Sequence, residues 1–117
     1  MNTKRWSLLI LVVLGLSFSA RANNERTIPF RTEVVLNGSK LPAGFYEISW
    51  VSHSPEATVT FVKAGHLMVT ATGMWVERRA RYTADSLIYT NNPDGSHTLL
   101  EIRFAGQKRA LVFASVN

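Results

Sequence analysis

The chain has 117 residues, with thirteen Lys and Arg against eight Asp and Glu and no cysteine. That length supports one small domain with a single core, and the lack of cysteine excludes disulfides, thiolate metal sites, a cysteine nucleophile and the lipid-modified cysteine of bacterial lipoproteins. A formal charge of +5 invites a nucleic-acid or anionic-membrane partner, but part of it belongs to a segment that the mature protein is expected to lose.

Lys4 and Arg5 precede an apolar run from Leu8 to Leu16, and Ala20-Arg21-Ala22 follows it. These are the three parts of a secretory signal peptide, and the run is shorter than the ~20 residues of a permanent membrane helix. Residues 1–22 are therefore expected to form a cleaved signal-peptide helix, with 23–117 as one β-domain and no permanent membrane anchor. The mature chain keeps ten basic and eight acidic residues, a net charge of +2, which by itself supports neither a nucleic-acid nor an anionic-membrane partner. It also keeps 41 of its apolar residues, too many for a disordered chain. Export without disulfides points to a bacterial periplasm or the extracellular medium, since small secreted eukaryotic domains are disulfide-dense.

Asn23 to Thr27 is polar and reads as a frayed terminus. From Ile28 the chain alternates: Ile28, Phe30, Thr32, Val34 and Leu36 share one parity, the signature of one half-buried strand. Asn37-Gly38 supplies positive φ angles for a tight turn, and Leu41-Pro42-Ala43-Gly44 predicts a type I turn. Tyr46, Ile48 and Trp50 alternate with Glu47 and Ser49 in a second strand, antiparallel to the first, which ends at His53-Ser54-Pro55-Glu56.

Thr58 to Val62 is the next strand, and Lys63-Ala64-Gly65-His66 turns it into Leu67 to Thr72. Gly73 to Ala84 is ambiguous; strand parity to Glu77, then a polar connection, fits better than helical spacing. Ser86 to Thr90 is a further strand, followed by the turn Asn91-Asn92-Pro93-Asp94-Gly95. His97 to Phe104 and Ala110 to Ala114 close the pattern, joined through Ala105-Gly106-Gln107-Lys108; the last is apolar throughout and reads as central. The sum is about seven short strands with connections too short for crossover helices. The expected fold is all-β, an antiparallel sandwich or small barrel.

Ile28-Pro29-Phe30, an alternating strand, Asn37-Gly38 and Leu41-Pro42-Ala43-Gly44-Phe45-Tyr46-Glu47-Ile48 together resemble the opening of a group of small exported bacterial proteins. That group has the pattern V-P-F, strand, G-G-K-x-L-P-A-G-x-Y-x-V. Asn92-Pro93-Asp94-Gly95, Glu101 to Gly106 and Leu111-Val112-Phe113 look like the closing half of one branch of it. The resemblance implies a compact all-β exported domain, and it brings no activity, cofactor or catalytic residue with it.

The densest charge cluster is Glu77-Arg78-Arg79-Ala80-Arg81. Arg78, Arg79 and Arg81 are candidates for an anion site, because guanidinium groups grip phosphate, sulfate or carboxylate bidentately. Strand alternation would turn Arg78 away from the other two, and charge runs usually form solvated faces. Trp75 and Tyr82 flank the cluster as stacking platforms or as core residues. His53, His66 and His97 sit in or beside turns, without metal-ligand spacing, so no metal is expected.

No serine lies in a Gly-x-Ser-x-Gly elbow, Asp94 reads as a turn former beside Gly95, and Glu33, Glu47 and Glu101 would need a cleft to act as a catalytic pair. The glycines are isolated in turns, so no phosphate-cradling loop is expected. Asn37-Gly38-Ser39 matches a glycosylation acceptor, but a hairpin turn explains it as well. Neither enzymatic activity nor a cofactor is expected. The expected role is a protein-binding or structural module of the cell envelope, with another envelope or secreted protein as partner, through a sheet edge or the basic turn region. The alternative is a carrier that holds a small apolar ligand inside a barrel.

Overall fold

The structure, a computed structural model, describes residues 24–113. The signal peptide expected over residues 1–22 and the strand end expected at Ala114 lie outside the described residues. Within them the chain is nearly all β, without an α-helix, and forms nine strands: β1 (Glu25–Phe30), β2 (Val34–Leu36), β3 (Ser39–Leu41), β4 (Gly44–His53), β5 (Glu56–Lys63), β6 (His66–Glu77), β7 (Ser86–Asn91), β8 (His97–Arg103) and β9 (Arg109–Phe113). β1, β4, β5, β6, β9, β8 and β7 lie side by side in that order, each antiparallel to the next, in an open sheet.

Period-two alternation builds this sheet. Tyr46, Ile48 and Trp50 of β4 are buried, as are Ala57, Val59 and Phe61 of β5, while Phe45, Glu47 and Val51 face solvent. The register sets Ile48 opposite Phe61 and Trp50 opposite Val59, so the buried residues fall on one face. Their rings form two groups. Phe30 lies 4.2 Å from Tyr46 and 6.3 Å from Phe61, with Phe113 6.0 Å beyond, and Trp50 lies 4.8 Å from Phe104 and 5.9 Å from Trp75. The Tyr46 hydroxyl donates to the Pro42 carbonyl at 2.7 Å, which ties the β3–β4 corner to the core. Its burial, with Glu33 nearby, pushes its pKa up.

Four sequence expectations need correction. Glu25 to Thr27, expected to belong to a frayed terminus, open β1 and pair with Ser49, Ile48 and Glu47 of β4. The single strand expected from Ile28 to Leu36 is two strands. β4 begins at Gly44, opposite Phe30, so from Arg31 onward the chain has no partner on that side and crosses to β8, where Val35 pairs in parallel with Thr98. Parity survives the break, with Ile28, Phe30, Val34 and Leu36 all buried. β3 was not expected at all; it pairs only with β2, across the Asn37-Gly38 turn. The strands expected on either side of Thr72-Gly73 are one twelve-residue strand, β6. At Gly73 it changes neighbours, leaving β5 after the Met74–Glu56 pair and joining β9 from the Gly73–Phe113 pair. The split and the added strand outweigh the merger by one, and the described residues hold nine strands.

Two of the tight hairpin turns lie in the left-handed region: Asn37 and Gly38 at φ 53° and 77°, and Ala64 and Gly65 at 51° and 81°. Asn tolerates that region, whereas Ala pays a Cβ penalty there of about 1 kcal/mol. Ala64→Asn is accordingly expected to raise stability by about 0.5–1 kcal/mol in urea denaturation; an unchanged or lower midpoint would contradict a strained Ala64.

Candidate functional site

Two margins of the open sheet face one another. Among the described residues β1 pairs only with β4 and β7 only with β8. Between their free sides lies a groove of about 270 Å³. Ile28, Pro29, Arg31 and Thr32 form one wall, and Asp85, Ser86, Leu87 and Tyr89 the other. The seam is fastened at one end. Arg26 Nη1 donates to Asp85 Oδ1 at 2.8 Å, the Ala105 backbone N–H donates to the same oxygen at 2.8 Å, and the Arg26 guanidinium lies 5.4 Å from the centre of the Phe104 ring. Asp85 thereby joins the start of β1 to the β8–β9 turn.

Two loops meet beside that fastening. The β6–β7 connection docks on the β8–β9 turn through Arg78 N–H to Lys108 O at 2.6 Å, Tyr82 N–H to Gln107 O at 3.0 Å and Gly106 N–H to Tyr82 O at 2.8 Å. The three candidate arginines take different places on this pair of loops. Arg78 donates to Glu101 Oε1 at 3.2 Å, and Arg103 holds Oε2 of the same carboxylate at 2.7 Å. Arg81 donates to the Gly106 carbonyl at 2.7 Å, and Arg79 is exposed. Trp75 is half-buried between Trp50 and Phe104, with Arg109 stacked 3.8 Å from its ring centre and its indole N–H on Ser52. The Tyr82 ring lies under Arg103 at 5.2 Å.

The histidines do not converge. His53 meets Thr58, His97 meets Asn91 at 2.7 Å, and His66 opens β6. Among the described residues no group of three His, Asp or Glu is placed to hold a metal. Asp94 accepts the Ser96 hydroxyl at 2.6 Å and the Ser96 N–H at 2.9 Å, which closes the β7–β8 turn. Glu33 and Glu47 are exposed, whereas Glu101 is nearly buried between its two arginines. In comparisons with protein-family models, curated proteins and solved structures, the chain matches none.

The sequence singled out the arginine run but gave no sign of the seam. Arg26 and Asp85 are 59 positions apart, and no local pattern links such a pair. Lys108 and Arg109 read only as a turn and a strand start, because their nearness to Arg79 and Arg81 is set by the docking of two loops.

Glu101→Gln leaves Arg78 and Arg103 without their carboxylate. Both guanidinium groups are about one-third exposed, so the expected loss is about 1–2 kcal/mol rather than the 3–5 of a fully buried pair; a loss below about 0.5 kcal/mol in urea denaturation would show the triad to be dispensable. The Ser96 hydroxyl, and then its N–H, hold the Asp94 carboxyl below its ordinary pKa. A lowered folded-state pKa contributes stability above the unfolded value, and this is lost as pH falls below about 4. Asp94→Ala is thus expected to give a shallower fall in stability between about pH 5 and 2 than the parent chain. Parallel acid limbs would count against this.

Proposed function

We propose that the chain is an exported, non-enzymatic β-domain of the cell envelope that binds an extended segment of another envelope or secreted protein along the seam between β1 and β7. The carrying observation is the pair of facing margins on opposite walls of one groove. A strand laid between them would satisfy backbone N–H and C=O groups on both sides at once, which a small molecule would not. Pro29 removes one donor from the β1 edge, a device that discourages indiscriminate pairing while leaving carbonyls to accept. Leu87 and Tyr89 supply apolar contact for alternate side chains of the entering strand, and Arg31 supplies a charge beside them.

In this reading the sheet is a small barrel left open by one strand and fastened at one end by Arg26 and Asp85. The interior is occupied by Phe30, Tyr46, Phe61, Trp50 and Phe104, which favours surface binding over a carrier's internal ligand. Asp85, Asp94 and Glu101 are engaged in structural hydrogen bonds, which supports a role without catalysis. The likeness to small exported bacterial proteins rests in part on Ile28–Phe30 in β1 and Leu41–Ile48 at the β3–β4 corner, so the shared motifs include Ile28 and Pro29 of one wall of the seam.

A photo-crosslinking residue at Tyr89 or Thr32, in cells that produce the protein, tests this. The expected result is an adduct with one discrete protein from both seam positions and none from Val51 on β4, which is more exposed than Tyr89. Absence of adducts at the seam, or the same adducts from Val51, would refute the assignment.

A further inference from the structure

The net charge of +2 conceals a separation of charge. Residues 77–85 and 101–109, the two docked loops and the strand ends that carry them, hold six of the ten basic residues expected in the mature chain and three of the eight acidic ones. This pole therefore carries +3, and the remainder of the domain −1. Within the pole, Glu101 is taken up by Arg78 and Arg103 and Asp85 by Arg26. Arg79, Arg81 and Lys108 are left exposed, with Arg109 half-buried over Trp75. Only Glu77 opposes them, since the bond from Arg81 to the Gly106 carbonyl fixes that guanidinium without neutralising it. The four interloop hydrogen bonds bring Lys108 beside the 79–81 segment.

We infer that this pole docks the protein peripherally onto a membrane surface that presents anionic lipid headgroups. The cations are spread over two adjoining loops instead of converging in a cleft, which suits a plane of phosphates better than one small anion. Partly exposed Trp75 lies under Arg109, and an aromatic ring among basic side chains matches the chemistry of the headgroup region; the Tyr82 hydroxyl is buried, so that residue adds only its ring under Arg103. An acidic polypeptide would meet the same charges, and the comparison with soluble polyglutamate below separates it from a lipid surface. The inference shares the export reading, which would place the domain beside such a membrane, and it is independent of the strand-binding seam.

The test uses the chain purified as its cells produce it, with the N-terminus read by mass spectrometry, in sedimentation with lipid vesicles. Vesicles of phosphatidylcholine containing a quarter phosphatidylglycerol should carry the protein down, and phosphatidylcholine alone should not. Binding should fade as salt shortens the Debye length from ~10 Å at 0.1 M to ~3 Å at 1 M. Replacing Arg79 and Lys108 by Gln should lower partitioning about fivefold for each charge, about 25-fold together. Replacing Arg31 and Lys40, which lie outside the pole, should change it less than about twofold. All four residues are exposed, and unchanged thermal melting will confirm that the variants fold. Equal losses in the two double variants, binding to neutral vesicles, tighter binding to soluble polyglutamate than to vesicles, or no binding at low salt would each overturn the proposal. If the N-terminus proves to be Met1, the export reading fails separately, and the charge-pair comparison still reports on the pole.

Discussion

At Gly73 the backbone of β6 passes so close to β9 that a methyl group there would meet Leu111 Cδ2 at 3.2 Å and Phe113 Cε1 at 3.3 Å. Such approaches are tighter than ordinary van der Waals contact, so a methyl group there would require the Leu111 and Phe113 side chains to give by a few tenths of an ångström. At this residue β6 leaves β5 and takes up β9 without a break in the strand. β9 in turn holds β8, and β8 holds β7. The position of the second margin, and so the existence of a groove between β1 and β7, follows from this crossing.

What the sequence made legible was local. Alternation in Tyr46-Glu47-Ile48-Ser49-Trp50 and the Asn37-Gly38 and Ala64-Gly65 turns are decided by a residue and its near neighbours, and they are found where the pattern placed them. The break after Phe30 was not legible, because nothing in Arg31-Thr32-Glu33 ends a strand. Its cause is that β4 stops opposite Phe30. Gly73 sent the opposite message: a glycine inside a strand pattern reads as an interruption, yet β6 runs straight through it. The tie between Arg26 and Asp85 joins residues that share no period or motif, so only the folded chain reveals it.

Charge shows the same divide between sum and arrangement. Composition leaves residues 23–117 nearly balanced, with ten basic and eight acidic side chains, a sound argument against broad attraction to polyanions. Folding then sorts that balance. Glu101 absorbs two arginines in a half-buried triad, which fixes β8 to the end of β6, while docking of the loops gathers cations that lack such a partner. The arginine run was visible as a cluster, but its division into one structural member, Arg78, and two outward members, Arg79 and Arg81, depends on where β6 ends.

Asp85 links the two proposed surfaces. It belongs to the basic pole by position, and its carboxylate fastens the seam by accepting from Arg26 and from Ala105. The closed end of the seam and the cationic pole are therefore the same end of the molecule, and the walls carrying Thr32 and Tyr89 extend away from it. The two surfaces thus draw on different residues, Arg79, Arg81 and Lys108 for the one and the walls at Thr32 and Tyr89 for the other, and Asp85 is the residue that both border.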